Sequence, residues 1–459
     1  MKCQILTAAV SITSCIQQLF VSQTCMYNDM AITFWLPPVI YPYQKDVKYP
    51  IQLMEGHIGP SKSWFDVLKL LDGKFNHEVT QKFICNHYVK GFNATLHQMQ
   101  PPDTKNIILT DYREPFRYEM PGSVYFQIIA ETINMLQHHV SVILNYSGEW
   151  AGEDNVDSIQ LFASRYKIDL SRMLFLHFNM YPSDNGFVSM FQGKQIKEMF
   201  WNMYMANIHS LSSGLQCGRS RSGSYLRDAL ILGGNPRMHK GLKLLKLYTM
   251  NELRGVTFSS GVYPFCSGAH TCNPGSLYCD LLENKTLVSH FCSQLPKKLD
   301  VLIDSNMNHR KANDDKEALR HTVQLYQKAR FTLVLETDTR QGRQFAFVTE
   351  KVLYPIMSEV PFLYAGSMNG LRALRLLGFR TFSPFFNESY DGIAEPRSRM
   401  DAVSSEFARL SALQSPEFDT SVGDQVRHNC EHFTGMSFKK TLVRLALEVL
   451  DASVSAASS

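Results

Sequence analysis

The chain has 459 residues, of which 44% are hydrophobic and 19% are charged, and its formal net charge is +4. This length is too great for one ordinary domain, so two globular domains of similar size are expected. Acidic and basic residues nearly cancel and form no charged tail. The composition therefore gives no support to a nucleic-acid partner.

The amino-terminal segment has two interpretations. Lys2 is the one charged residue among the first 28, and residues 5–21 are moderately apolar. Residues 3–24 suit either a secretory signal or anchor, or a buried first strand and helix, and the polar Gln17 and Gln18 favour the second. A cytoplasmic location is therefore expected, with the secretory pathway or the Golgi as the alternative. Membrane association stays open.

Ten cysteines are spread through the chain, and four of them lie between residues 266 and 292. These four are Cys266, Cys272, Cys279 and Cys292. Their gaps are too wide and uneven for a zinc module. Either one or two disulfides staple a loop-rich insert, or the thiols are buried in a reducing compartment, and the sequence does not decide between these.

Short apolar runs alternate with amphipathic runs in the first half of the chain. Residues 106–110, 140–144 and 173–177 are typical of buried parallel strands, and residues 124–136 and 159–166 have helical spacing. This alternation predicts stacked βαβ units, with a parallel sheet covered by helices on both faces.

A stretch rich in Ser, Gly and Arg at residues 210–224 predicts a linker between two domains. A second alternating series follows it. Strands are predicted at residues 230–232, 255–258, 298–303, 331–336 and 361–364, and helices at 238–248, 319–328, 350–357 and 369–377. We therefore expect a first domain of residues 1–215 and a second of residues 225–425, with the ligand in the cleft between them.

The most informative stretch begins at the predicted strand that ends with Glu336. A polar loop that contains Arg343 follows, and Thr349 is placed to cap a helix whose first turn holds Glu350 and Lys351. A helix N-terminus favours a diphosphate, and Lys351 would add a full positive charge. Glu350 would suit the hydroxyls of a ribose or sugar. In the alternative interpretation, Glu350 is only a favourable acid in the first turn of the helix and Lys351 is solvated. A Thr-Glu-Lys triplet by itself more often has this structural role.

A second loop, residues 232–240, follows a predicted strand and leads into a helix. Two glycines let its backbone come close to a ligand, and Arg237, His239 and Lys240 offer charge or a hydrogen bond to a diphosphate. A connecting turn with solvated charges is the alternative.

Several of these motifs together resemble one family. They are L-G-G-N-P-R-M-H-K at residues 232–240, F-V-T-E-K-x-x-x-P-I at 347–356, V-P-F at 360–362, L-x-x-L-G-F-x-T-F at 374–382, N-E-S-Y-D at 387–391 and A-E-P-R-S-R-M at 394–400. They are similar to the carboxy-terminal half of a little-characterised set of glycosyltransferases that is common in phages and large viruses. The V-T-E-K core also resembles the donor motif of the α1,3-fucosyltransferases.

The resemblance implies the α/β arrangement called GT-B, in which two Rossmann-like domains face a central cleft. It implies one class of reaction, which is the inverting, metal-independent transfer of a sugar from a nucleotide diphosphate sugar to a glycan or glycoprotein acceptor. The donor would bind between residues 232 and 354. The donor-binding candidates are Arg237, His239, Lys240, Glu336, Arg343, Thr349, Glu350 and Lys351. Gly233 and Lys240 stand where the family favours Asn and Arg, so the first loop would hold phosphates less rigidly.

An inverting transferase of this kind needs a carboxylate in its amino-terminal half to deprotonate the acceptor hydroxyl. Glu149 follows the predicted strand at 140–144, and Asp111 and Glu114 follow the strand at 106–110. Ligands bind beyond the carboxyl ends of parallel strands, so both places qualify. Glu149 is favoured, with Asp111 as the second candidate, because the related family also tends to place a Glu there. A capping or surface acid is the alternative for each.

No D-x-D sequence ends a predicted strand, so neither a metal nor another cofactor is expected. A catalytically inactive protein of the same fold that binds a glycan or a nucleotide sugar is the alternative function. An epimerase or dehydrogenase is disfavoured, because no G-x-G-x-x-G follows an early strand.

The carboxyl terminus carries an apolar stripe at helical spacing within residues 438–450, and Ser437 is placed to cap the helix. The stripe consists of Phe438, Leu442, Leu445 and Val449. The resemblance implies that this segment, residues 426–459, crosses back to the amino-terminal domain. The small residues at 452–459 are expected to fray.

Overall fold

The computed structural model describes residues 18–27, 30–36, 82–86, 105–111, 140–146, 153–177, 182–183, 186–187, 197–218, 225, 227–232, 238–250, 256–259, 264–268, 277–294, 316–336, 345–383, 385–413 and 416–456. The helix predicted at 124–136 and the strand predicted at 298–303 lie outside these residues. Outside them too are the site candidates Glu114, Glu149, Arg237 and Arg343, and Gly233 of the first loop.

The first nine strands lie in the amino-terminal half. They are β1 (Gln18–Tyr27), β2 (Met30–Leu36), β3 (Lys82–Asn86), β4 (Lys105–Asp111), β5 (Val140–Tyr146), β6 (Met173–His177), β7 (Pro182–Ser183), β8 (Gly186–Phe187) and β9 (Lys197–Phe200). Seven of them form one sheet in the order β3-β1-β2-β4-β5-β6-β9, and β7 pairs with β8.

This seven-stranded sheet is mixed. From β2 through β4, β5 and β6 to β9 each neighbouring pair is parallel, as the alternating pattern predicts. β1 instead runs antiparallel to both β2 and β3. The end of the candidate signal segment, from Gln18 onward, is therefore a strand with a neighbour on each side.

Helix α1 (Glu153–Tyr166) begins earlier than predicted and buries Ile159 and Phe162 completely. A short 3-10 helix, Leu170–Arg172, leads into β6, and Asp169 caps it by accepting a hydrogen bond from the Ser171 amide over 2.9 Å. All five residues of β6 are buried, as expected of a parallel strand covered on both faces.

The carboxy-terminal half contains a second, four-stranded sheet. Its strands are β10 (Arg227–Leu232), β11 (Val256–Ser259), β12 (Ala329–Leu335) and β13 (Phe362–Ala365), in the order β11-β10-β12-β13. Each neighbouring pair is parallel. Four of the five strands predicted in this half therefore lie side by side in one sheet, and β12 is buried along its whole length.

The remaining described helices belong mostly to this half. They are α2 (Met203–Leu211), α3 (Met238–Thr249), α4 (Lys285–Gln294), α5 (Lys316–Tyr326), α6 (Glu350–Met357), α7 (Gly370–Leu376), α8 (Pro396–Ala412), α9 (Pro416–Thr434) and α10 (Met436–Ala456). Short 3-10 helices span Pro264–Ser267, Cys279–Glu283 and Glu388–Gly392. None of the helices in the described part of the chain is long and apolar enough to cross a bilayer.

Helix α2 packs into the core of the second sheet, although it follows the last strand of the first. Trp201, Met205 and Ile208 are buried in the same apolar cluster as β10 and β12. Asn202 caps α2 by accepting from the Met205 amide over 3.1 Å, and its Nδ2 donates to the Val348 carbonyl over 2.9 Å. The carboxyl end of α2 overlaps the start of the linker predicted at residues 210–224.

Helix α10 connects the two halves. It contacts β4, β5 and β6 of the first sheet and packs against α9. Phe438, Leu442 and Val449 of the predicted stripe are buried, and Leu445 is half-buried. Helix α9 runs without a break through residue 426, where the crossing segment was expected to begin.

Two predictions at this terminus were wrong. Helix α10 begins at Met436, so Ser437 lies inside its first turn and does not stand at the N-cap position. The helix also continues to Ala456, and Ala452 and Ala456 are buried. Because these small side chains pack against the rest of the protein, the residues from 452 to 456 are ordered into the helix.

The structure shows disulfides. Cys266 pairs with Cys292 within the insert, and Cys279 is also disulfide-bonded. A further disulfide joins Cys217, just after α2, to Cys430 of α9. The disulfide interpretation of the insert is therefore the one observed, and the Cys217–Cys430 pair was not anticipated from the sequence.

Candidate functional site

The candidate site lies at the carboxyl edge of the second sheet. Glu336 directly follows β12, and α6 begins at Glu350 after a short segment that includes Thr349. Ligands of open α/β sheets bind beyond the carboxyl ends of the parallel strands. The structure therefore brings together four of the donor-binding candidates, Glu336, Thr349, Glu350 and Lys351, which we call the acidic cluster.

Glu336 is fully buried and holds Thr349 in place. Its Oε1 accepts hydrogen bonds from the Thr349 amide over 2.8 Å and from Thr349 Oγ1 over 2.9 Å, and its Oε2 lies 2.8 Å from the same hydroxyl. Glu336 thus acts as the anchor of the segment that precedes α6.

Thr349 occupies the predicted N-cap position of α6, but it makes no side-chain capping hydrogen bond. Its hydroxyl is engaged by Glu336 instead. The predicted position was therefore right and the predicted contact was wrong. A consequence is that the Thr349 hydroxyl does not occupy the first-turn N–H groups of α6, which remain suited to an anionic or polar ligand.

Lys351 is surrounded by the rest of the acidic cluster, and its side chain is only 17% exposed. Its Nζ donates to Thr349 Oγ1 over 2.9 Å and to Glu350 Oε1 over 3.0 Å, and it lies 3.6 Å from Glu336 Oε2. Two carboxylates therefore share one ammonium. Neighbouring carboxylates therefore already compensate the positive charge that Lys351 was expected to offer to a diphosphate.

The ionisation of Glu350 follows from this arrangement. Burial by itself would raise the pKa of Glu350, but attraction to Lys351 and hydrogen bonds outweigh burial and hold the pKa below its usual value. Burial would likewise lower the pKa of Lys351, whereas Glu350 and Glu336 raise it. Both groups are therefore charged at neutral pH.

One oxygen of Glu350 stands out. Its Oε1 accepts from Lys351, while its Oε2 is buried and forms no hydrogen bond with the residues that the structure describes. Buried carboxylate oxygens are normally satisfied by a donor. An ionised oxygen in this condition beside a helix N-terminus is well suited to accept a hydrogen bond from a ligand hydroxyl.

Lys243 of α3 is a second buried lysine at this edge, and the sequence reasoning missed it. It is 0% exposed, and its Nζ donates to the Ala365 carbonyl over 3.1 Å and to the Glu336 carbonyl over 3.4 Å. Ala365 ends β13 and Glu336 directly follows β12, so Lys243 joins the ends of the two strands. The signal for it was a lysine flanked by Leu242 and Leu244.

Two of the first-loop candidates, His239 and Lys240, lie in α3, which begins at Met238 as predicted. Lys240, expected to face a diphosphate, is buried in α3 with 2% exposure. His239 lies in the first turn of the same helix and is half-buried. Both side chains are therefore part of the start of α3.

The segment before α6 is fixed to the end of β13. The Phe347 amide donates to Ser367 Oγ over 2.7 Å, and the Tyr364 hydroxyl donates to the Phe347 carbonyl over 2.6 Å. A Cβ atom on Gly366 or Gly370 would overlap the ring of Tyr364. Gly366 and Gly370 therefore leave room for the tyrosine that holds the Phe347 carbonyl.

The downstream motif residues support the same framework. Asp391 caps α7 by accepting from the Leu371 and Arg372 amides, each over 2.9 Å. Arg399 is buried and donates to the carbonyls of Gly366 and Ala394, each over 3.1 Å. These contacts show a structural role for two of the motifs in the resemblance, since both hold the turn that follows β13.

In the amino-terminal sheet, Asp111 is the last residue of β4 and pairs in register with Asn145 at the carboxyl edge. At the same edge His177 ends β6, and its Nε2 lies 3.2 Å from Glu198 Oε2 of β9, with the two side chains 6% and 9% exposed. The sequence analysis did not single out this pair, because its members become neighbours only when β6 and β9 align.

No group of three or more His, Cys, Asp or Glu side chains within the described part of the chain is placed to hold a metal ion. Comparison of the chain with protein-family models, curated proteins and solved structures finds no match in any of the three. The chemistry of the acidic cluster is therefore what supports a function.

Proposed function

We propose that the chain is a glycosyltransferase that moves a sugar from a nucleotide diphosphate sugar to a glycan or glycoprotein acceptor. The observation that carries the proposal is the ionised Glu350, whose buried Oε2 has no donor among the described residues, at the N-terminus of α6. This place lies beyond the carboxyl ends of parallel strands, where α/β proteins bind nucleotides.

In this proposal Glu350 accepts hydrogen bonds from hydroxyls of the donor's ribose or sugar. Lys351, Thr349 and Glu336 position it, since together they hold its other oxygen and the start of α6. The N–H groups at the start of α6 face the diphosphate. Because Lys351 is already neutralised, the positive charge for the diphosphate comes from Arg237 and Arg343, and His239 donates a hydrogen bond to the diphosphate.

The proposed reaction is a displacement at the anomeric carbon of the donor sugar. The acceptor hydroxyl oxygen forms the new bond, the bond to the diphosphate oxygen breaks, and the nucleoside diphosphate leaves with the bonding electrons. Glu149 takes the acceptor proton, with Asp111 as the second candidate. Positively charged groups and helix N–H groups stabilise the negative charge that develops on the leaving diphosphate.

One observation favours a second candidate, a protein that binds glycans or nucleotide sugars without turnover. The acidic cluster has two carboxylates to one ammonium, which suits neutral hydroxyls better than a diphosphate. Fold and site geometry alone do not guarantee chemistry.

The test is a panel of uridine, guanosine, adenosine and deoxythymidine diphosphate sugars incubated with the full chain. Nucleotide binding by calorimetry and slow nucleotide release without acceptor are the expected results, and both should persist in EDTA. Binding without release in any condition would favour the second candidate. Absence of binding to any donor would refute the donor site, and release that needs Mn²⁺ would refute the metal-independent mechanism.

A matched pair of variants locates the site. Glu350→Gln removes the charge of the candidate ligand, and we expect it to weaken donor binding at least tenfold, about 1.4 kcal/mol. Glu388→Gln is the control, because Glu388 is also largely buried but contacts Arg375 and the Phe382 amide instead. Equal donor affinity of Glu350→Gln and wild type would place the donor elsewhere.

A further inference from the structure

The disulfides indicate the environment in which this chain folds. Cys217–Cys430 joins positions 213 residues apart with their Cα atoms 5.9 Å apart, and Cys266–Cys292 joins positions 26 residues apart at 5.6 Å. Cys279 is bonded as well. Structural disulfides persist in oxidising compartments and are rare in the cytosol. The presence of several disulfides in one chain therefore favours the secretory pathway over the cytoplasmic location expected from the sequence.

An independent feature lies on the surface. Asn284-Lys285-Thr286 and Asn387-Glu388-Ser389 both have the Asn-x-Ser/Thr pattern of N-linked glycan acceptors, and neither has proline in the middle. The asparagine and the hydroxyl residue of each triplet are exposed. Both triplets are therefore accessible surface positions, which a bulky hydrophilic glycan requires.

The local hydrogen bonds of both asparagines are compatible with a glycan. Asn284 Oδ1 accepts from the Leu287 amide over 3.0 Å at the start of α4. Asn387 Oδ1 accepts from the Ser389 amide over 3.2 Å at the start of the 3-10 helix Glu388–Gly392. An N-linked glycan is carried on Nδ2, so both oxygen contacts can stay in place when the nitrogen is modified.

We propose that this chain matures in the secretory pathway and carries N-linked glycans on Asn284 and Asn387. In the transfer step, the amide nitrogen attacks the anomeric carbon of a lipid diphosphate-linked oligosaccharide. The carbon–nitrogen bond forms, the bond to the diphosphate oxygen breaks, one amide proton is lost, and the lipid diphosphate leaves. Each disulfide forms by exchange with a protein disulfide, which accepts two electrons as the two thiols lose their protons.

The two other triplets of this pattern are not part of the proposal. Asn93 lies outside the described residues. Asn145 lies within β5, which has β4 and β6 on its two sides. The proposal is independent of the glycosyltransferase function, since neither Asn284 nor Asn387 belongs to the acidic cluster.

The test is expression of the full chain in a cultured eukaryotic cell line, followed by digestion with an N-glycan amidase and peptide mass spectrometry. We expect the amidase to lower the apparent mass and to convert Asn284 and Asn387 to aspartate. Alkylation before reduction should leave Cys217, Cys430, Cys266 and Cys292 unlabelled. Unmodified peptides at both asparagines, or labelled free thiols at these cysteines, would overturn the proposal.

Paired substitutions assign the sites. Thr286→Ala and Ser389→Ala should each remove one glycan, seen as one step of lower mass, while Thr286→Ser and Ser389→Thr retain the pattern and the glycan. The hydroxyl residues are exposed, so these changes leave the core unaltered. A mass that is the same in the alanine and the conservative variants at both positions would refute the assignment.

Discussion

Replacing Lys351 by methionine tests the electrostatics of the acidic cluster directly. The change keeps most of the side-chain length but removes the ammonium that lies 3.6 Å from Glu336 Oε2 and 3.0 Å from Glu350 Oε1, and Glu336 is fully buried. Removing one partner of a buried ion pair costs about 3 to 5 kcal/mol, because the other charge is left uncompensated. Lys351 is only 17% exposed, so solvent screens little of this effect.

We therefore expect Lys351→Met to lower the free energy of unfolding by about 3 kcal/mol or more at neutral pH. The measurement is urea denaturation followed by tryptophan fluorescence, with the midpoint and slope fitted for both proteins. Lys440→Met is the matched control. Lys440 is an exposed lysine of α10, and its replacement should change stability by no more than about 0.5 kcal/mol.

The pH dependence of the free energy of unfolding also has a predicted direction. The pKa of Glu350 is below its ordinary value of 4.5 in the folded wild type, so its stabilising contribution is present above that value and is lost as pH falls through the folded pKa. Without Lys351, burial becomes the dominant effect and raises the pKa of Glu350. The variant then takes up a proton on folding in mildly acidic solution, which relieves the uncompensated charge.

The stability gap between wild type and Lys351→Met should therefore narrow between neutral pH and about pH 5. Adding Glu350→Gln to the variant should recover part of the loss at neutral pH, with a coupling energy of about 1 kcal/mol or more. A Lys351→Met protein within about 1 kcal/mol of wild type, with a gap independent of pH, would refute the reasoning.

Three further predictions concern the framework. Truncation after Gly435 should expose the part of the first sheet that α10 contacts and should lose the burial of Phe438, Leu442 and Val449, worth about 1.5 to 3 kcal/mol each. We therefore expect calorimetry to show a lower Tm, and an unchanged Tm would show that α10 is dispensable for stability. Replacing both cysteines of the Cys217–Cys430 pair by serine should lower the free energy of unfolding by about 2 to 5 kcal/mol, measured by urea denaturation. An equal urea midpoint of the wild-type protein with and without reductant would contradict a stabilising bond. Gly370→Ala should cost about 1 to 3 kcal/mol because its methyl group meets the Tyr364 ring, and the Gly423→Ala control, which meets nothing, should not.

Local patterns in the sequence were sufficient for many elements. The strand at residues 173–177 and the helix at residues 350–357 have the predicted bounds, because an uninterrupted apolar run and a helical spacing of apolar residues are properties of consecutive residues. The position of Thr349 at the start of α6 was also predictable, since caps are read from a few neighbouring side chains.

The antiparallel strands at the edge of the first sheet depended on distant partners. β1 pairs with β3, which lies more than fifty residues later in the sequence, and no local spacing of apolar residues specifies such pairing. The Cys217–Cys430 bond has the same origin, since its cysteines are 213 residues apart. Composition indicated that disulfides were an option, and only the fold decided which cysteines meet.

The chemistry of the site likewise depends on contacts between residues that are distant in the sequence. The sequence determined that a Glu, a Thr, a Glu and a Lys stand near the ends of a strand and a helix. The tertiary structure decided that Glu336 turns the Thr349 hydroxyl away from the helix and that two carboxylates neutralise Lys351. It also decided that Lys243 is buried against two strand ends. Charge and hydrogen-bond partners depend on distances between side chains, and those distances exist only once the strands and helices have packed.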